Sequence, residues 1–160
     1  MIQKFTGWYQ VHESNRPFAD VVAALEAAVG SVENDAFSAE VSEAYDPLGF
    51  EARMHKHEGT SGFMRFHTID YGAWLAALGS SGKARMYTIG NPLIARTMIK
   101  YDIGVGLNVP VRIAVYEEPS SRKIRMAYNL PSSLMSALEN NDVSESARLS
   151  MPNSSRSRTW

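Results

Sequence analysis

Four histidines, His12, His55, His57 and His67, are the side chains in this 160-residue chain best suited to move a proton or ligate a metal near neutral pH. His55 and His57 flank Lys56. An i, i+2 pair shares a face only on a strand; on a helix the two rings diverge by about 200°. Lys56 and Glu58 mark the segment as solvated surface, and no spacing supplies the third ligand a metal site needs. His67 stands in a different setting. Residues 63–70 alternate as a strand does, with Met64 and Phe66 on one face and Phe63, Arg65, His67 and Ile69 on the other, and Tyr71 just beyond. Imidazole and phenolate are both axial ligands of haem iron, so His67 and Tyr71 are candidates for a cofactor-binding site. The plainer alternative is a half-buried histidine held by a backbone carbonyl. With no cysteine in the chain, any haem is bound non-covalently.

Two further positions join this set. Arg112 and Tyr116 lie on the strand face opposite Val111, Ile113 and Val115, among Asn108, Pro110 and Ala114, a face too weakly charged for plain solvent exposure. Either a helix covers that face or it lines a pocket in which Arg112 anchors an anion. Asn91, before Pro92, is placed to cap a helix, and the same N-terminus can hold a carboxylate or phosphate. If the protein is an enzyme, its acid and base come from His67, Tyr71 and Tyr116. Asp70 points away from His67, so the two make no dyad. The chain contains no Gly-x-Ser-x-Gly elbow, no phosphate-binding loop ending in Gly-Lys-Ser/Thr, no Gly-x-Gly-x-x-Gly and no His-Glu-x-x-His.

The elements that must position these groups follow from periodicity. Residues 2–12 favour a strand, and Ser14 or Asn15 then caps a helix with Pro17 in its first turn. Phe18, Val21, Val22, Leu25 and Val29 form its apolar stripe, interrupted by Glu26 and ended by Gly30. Phe37, Val41, Ala44 and Tyr45 suggest a second helix closed by Asp46-Pro47-Leu48-Gly49, and residues 50–58 fit a short helix no better than a loop. Strands are expected over 63–70 and 85–89, a helix over 92–101, and a strand with Leu107, Val109, Val111, Ile113 and Val115 at every second position. A turn at 117–121 returns residues 123–128 antiparallel, and Pro131 opens a last helix. So tight a hairpin leaves no room for a βαβ crossover. The expected fold is α+β: a two-layer sandwich, mostly antiparallel, with helices packed on one face. Residues 1–141 form its single domain, and 142–160, with six serines and three arginines, form a partly disordered tail.

Three stretches resemble the bacterial family known as domain of unknown function 302. They are Gly62-Phe63-Met64-Arg65-Phe66 with Ile69-Asp70-Tyr71-Gly72-Ala73, Tyr87-Thr88-Ile89-Gly90-Asn91-Pro92-Leu93-Ile94-Ala95, and Leu107 to Glu117 ending in Val115-Tyr116-Glu117. The resemblance spans about residues 3–139 and implies a two-layer α+β domain without an assigned activity. Many relatives carry histidine where this chain has Tyr71, and they finish with an apolar helix where this chain turns rich in Ser and Arg.

Composition bounds the function. Apolar residues make up 44% and charged residues 21%, ordinary globular values. A net charge of −1 gives no electrostatic footprint for nucleic acid or an anionic membrane. No apolar run approaches the ~20 residues of a bilayer span, no secretory leader is evident, and the absence of cysteine fits a reducing compartment, so a cytoplasmic protein is expected. Three classes remain: a small-molecule or cofactor-binding domain, haem being the named cofactor; an enzyme acting on a small aromatic or carbonyl-bearing metabolite; and an oligomerising module, a homodimer in its simplest form.

Overall fold

The computed structural model describes residues 2, 4–43 and 46–150. In chain order the elements are β1 (Tyr9–Ser14), α1 (Phe18–Ala28), β2 (Gly30–Ser31), α2 (Asp35–Ser42), α3 (Pro47–His57), β3 (Met64–Asp70), α4 (Tyr71–Ala77), β4 (Ala84–Gly90) and α5 (Pro92–Ile99). A 3₁₀ turn (Ile103–Leu107), β5 (Val111–Glu117), β6 (Ile124–Asn129), α6 (Pro131–Leu134), a second 3₁₀ turn (Met135–Leu138) and α7 (Asn141–Ser150) complete the chain. The strands make one six-stranded sheet in the order β1-β6-β5-β4-β3-β2. Every pairing is antiparallel except the short parallel contact of β2 with β3. The fold is therefore α+β, as the sequence predicts.

Short polar side chains start most of the helices. Asn34 accepts from Phe37 N, Asp46 from Gly49 N, Asp70 from Ala73 N, Asn91 from Leu93 N, and Asn140 from Asp142 N and Val143 N. Each bond satisfies a backbone donor that the first helical turn leaves unpaired. α1 and α6 are the exceptions: their N-caps, Pro17 and Leu130, make no side-chain cap bond, and Ser14 accepts from Arg16 N instead. Asp46-Pro47 also acts otherwise than expected. It opens α3 and does not close the helix before it, because a capping aspartate with proline behind it preorganises a start. The predicted extension of α2 through Ala44 and Tyr45 lies outside the described residues.

α1 lies across one face of the sheet. Val22 and Val29 pack with Tyr87, Ile89, Val115 and Ile124, supported by Phe18, Val21 and Leu25, so the 3.6-residue stripe of the helix meets the two-residue alternation of β4, β5 and β6. The strands predicted from residue 107 and from residue 63 both need correction. Leu107 belongs to the 3₁₀ turn and is 90% exposed, and β5 begins only after Pro110, which has no N–H to give the ladder. In β3 the register slips between Arg65 and His67. The extra residue reverses the facing of the rest of the strand, so Arg65 turns toward α1 while His67 and Ile69 turn to the opposite face.

At the end of the sheet where β4 leaves and β5 enters, α5, both 3₁₀ turns and α7 build a second core from Met98, Val105, Met135, Val143 and Ala147. Val143 and Ala147 are 0% exposed, so the compact unit does not stop at residue 141 but runs on to the end of α7. The physical reason is their spacing: residues four apart fall on one helical face even inside a serine-rich segment. The remainder of the predicted tail, 151–160, lies outside the described residues. A third cluster, Val32, Met54 and Met64, joins α3 to the sheet. No helix among the described residues is long and apolar enough to cross a membrane.

Candidate functional site

The structure brings together only part of the set read from the sequence. His67 pairs across the sheet with Thr88, and Thr88 pairs with Arg112. The three side chains form a row on the face away from α1, with His67 and Arg112 exposed and about 10 Å apart at their Cα atoms, two strand spacings. Tyr116 stands on the same face about 13 Å further along the strands, paired with Ala84 and close to Tyr9 and Arg125. The neighbouring Tyr116 hydroxyl, followed by burial, raises the pKa of the Tyr9 hydroxyl. Tyr71 opens α4 and rests edge-on against Trp74 at 5.1 Å. Asn91 uses both its N–H donors within the fold: Nδ2 donates to Glu58 Oε1 at 2.6 Å and to the Gly62 carbonyl at 2.8 Å, and Oδ1 caps α5. These bonds tie the loop after α3 to the start of α5.

A denser polar group lies under α1. Glu26, the one charge in the apolar stripe, accepts from the Tyr87 hydroxyl at 2.9 Å and sits 3.2 Å from Arg85 and 3.3 Å from Arg65. Arg85 Nε also donates to Asp70 at 3.1 Å. Arg65 Nε lies 2.7 Å from Glu33, an ion contact without the alignment of a hydrogen bond. Burial, with the Glu26 bond adding to it, pushes the Tyr87 hydroxyl up to about 12. A phenol raised on folding stabilises the native state below its unfolded pKa of about 10, and the contribution is lost as pH climbs through 12. In ultraviolet titration one tyrosine is therefore expected to ionise last, and Tyr87→Phe to remove that step and soften the fall of the urea midpoint between pH 10 and 12. Tyrosines that all ionise together near pH 10 would contradict it.

Two surface hollows among the described residues carry polar side chains. The first, about 350 Å³, is lined by Glu40 of α2 and by Arg53, Lys56 and His57 of α3. His57 Nε2 lies 2.7 Å from Glu40 Oε2, and that contact holds the Glu40 carboxyl below its usual value. The second, about 300 Å³, has Trp8 and Leu130 as apolar walls, and its polar lining is Ser132, Ser133, Ser136, Ser144 and Arg148. Ser133 Oγ accepts from Trp8 N and donates to the Leu130 carbonyl. The hydroxyls of Ser136 and Ser144 donate to carbonyls within their own segments, so each oxygen keeps its capacity as an acceptor. Arg148 Nε donates to the Ser144 carbonyl, which leaves the terminal nitrogens of its guanidinium for a ligand. Among the described residues no three His, Asp or Glu side chains gather as a metal would need.

The sequence carried signals for both hollows. Arg53, Lys56 and His57 are spaced i, i+3, i+4 and share one face once residues 47–57 are helical. Arg148 becomes visible once the segment after residue 141 is read as helix.

Residues 37–151 match the profile of a family described as Domain of unknown function DUF302. The chain is also similar to a solved structure, that of the uncharacterized conserved protein DUF302 from Bacillus stearothermophilus. The two are 14% identical with a TM-score of 0.60, over 88% of this chain and 87% of that one, a likeness of fold. No curated protein matches the chain.

Proposed function

The chain belongs to the DUF302 family, and from that premise we propose that it is a small-molecule-binding domain whose ligand is an aromatic carboxylate bearing a hydroxyl or amine. One observation carries the reading: in the hollow beside α7, Trp8, serine hydroxyls and the free end of the Arg148 guanidinium surround one space of about 300 Å³. Ligand pockets combine apolar walls with a few placed polar groups, and this volume is at the small end of their range. Trp8 is 70% exposed and offers its indole face to a ring. Arg148 suits a carboxylate, which a guanidinium can grip with two parallel bonds. The serine lone pairs call for donors on the ligand, which favours a hydroxylated or aminated ring.

Haem draws no support from these two hollows, neither of which is lined by His67 or Tyr71. Acid–base catalysis draws as little support from Tyr116, which lies beside Tyr9 and Arg125 well away from His67.

Thermal unfolding with 4-hydroxybenzoate as probe tests the reading. A ligand at a hundred times its dissociation constant adds about 2.7 kcal/mol, which raises the Tm of a chain this size by roughly 5–11 °C. The shift is expected in the wild type and lost in Arg148→Gln, whose own Tm should be nearly unchanged because Arg148 is exposed. No shift, or the same shift in both proteins, would count against it.

A further inference from the structure

We propose that the hollow between α2 and α3 is a second binding site, specific for the phosphate group of a small phosphomonoester. The argument begins with charge. Among the described residues Arg65, Arg85, Lys83, Arg122, Lys123 and Arg125 each lie within ion-pair distance of a carboxylate. Among the described residues Arg53 and Lys56 have no carboxylate within ion-pair distance, yet both line the same hollow. Glu40, the carboxylate there, is taken up by His57 at 2.7 Å. Two permanent cations thus converge on one space in a protein whose net charge is −1. The nearby Glu40 carboxylate offsets part of their mutual repulsion, and a bound dianion would offset the rest.

Geometry selects the anion. Arg53 Nη1 donates to the Glu40 carbonyl at 3.0 Å, which steadies the guanidinium and leaves its other N–H groups to reach outward. Lys56 supplies three donors from the next helical turn, and His57, a quarter exposed, closes the third side. Donors arriving from separate directions suit a tetrahedral dianion better than a planar carboxylate. The volume, about 350 Å³, exceeds what phosphate alone fills and leaves space for an organic substituent. This site shares no lining residue with the Trp8–Arg148 hollow, so either reading can fail without the other.

Calorimetric titration of the full chain at low ionic strength, with inorganic phosphate in one arm and phenyl phosphate in the other, tests the proposal. Both are expected to bind at one saturable site, phenyl phosphate at least as tightly as phosphate. Arg53→Gln and Lys56→Gln should each weaken binding about tenfold, the loss expected for one charge-assisted bond. Lys100→Gln makes the same charge change beside Tyr101 and should alter affinity less than twofold. Lys56 is exposed and makes no bond in the fold, so its variant reports binding and not folding. Absence of saturable binding, or an equal loss in Lys100→Gln, would overturn the proposal, and phosphate binding with phenyl phosphate excluded would overturn the phosphomonoester assignment.

Discussion

Gly30→Ala is expected to be among the most damaging single-methyl additions this chain can receive. A β-carbon on Gly30 would overlap the backbone carbonyl oxygen of His57, and one on Gly59 would overlap the Ala28 carbonyl and the Gly30 nitrogen. Three backbone segments cross here. Gly30 N and Gly59 N both donate to the Phe63 carbonyl at 3.0 Å, and Ser61 N donates to Ala28 O at 2.9 Å. The end of α1, the end of α3 and the start of β3 are thereby joined with no side chain between them. Overpacking usually costs about 1–3 kcal/mol, and this case belongs at the top of that range because the obstructing atom is main chain and cannot rotate aside. A Tm lowered by about 6–12 °C is the consequence for a chain of this length. Gly106→Ala is the control: nothing lies within 4 Å of its added carbon and its φ is ordinary, so it should be neutral or slightly stabilising. Equal melting of Gly30→Ala and wild type would mean that the crossing is not as close as described.

Val143→Asp should rival it. Val143 is 0% exposed within the cluster of Met98, Val105, Met135 and Ala147, where a carboxylate has no cation to meet. An uncompensated buried charge costs on the order of 3–5 kcal/mol, a large share of the roughly 5–15 kcal/mol that holds a domain together. Leu149→Asp makes the same change of side-chain class on the same helix at a position 80% exposed, and should alter the stability read from urea unfolding by less than about 0.5 kcal/mol. The pair distinguishes a helix that completes the core from one that merely rests on it. If Val143→Asp unfolds like Leu149→Asp, α7 contributes little to stability.

Periodicity made much of the fold legible because burial imposes it. Val111, Ile113 and Val115 alternate since one face of β5 meets α1, and the stripe from Phe18 to Val29 repeats because α1 meets that face. The same reasoning ran too far at Leu107, where alternating residue types continue into a turn that pairs with nothing. Periodicity records which residues are apolar and is silent on who bonds to whom. The slip between Arg65 and His67 leaves no trace in composition, so two side chains assigned to one face occupy two. Glu26 was visible as an interruption in an apolar stripe, yet its partners Arg85 and Tyr87 lie 59 and 61 residues away, and only the folded sheet brings them near. The hollows stayed hidden for a related reason. Each depends on a helix whose start was read as something else, Asp46-Pro47 as a stop and the residues after 141 as a tail.

The order of strands also bears on how the chain must be made. β1 is synthesised first but pairs only with β6, Gln10 against Tyr128 and His12 against Met126. At about 5–20 residues per second a nascent chain carries β1 unpaired for many seconds while the rest emerges. Through that interval Tyr9 and Val11 stand on a strand with neither ladder edge satisfied, the condition in which strands of neighbouring chains join each other. The local hairpin of β5 and β6 can form within microseconds of its appearance, whereas closing the sheet on β1 must await the chain through Asn129. The sheet is thus completed only once β6 has emerged, and the vulnerable species is the ribosome-bound chain that still lacks it.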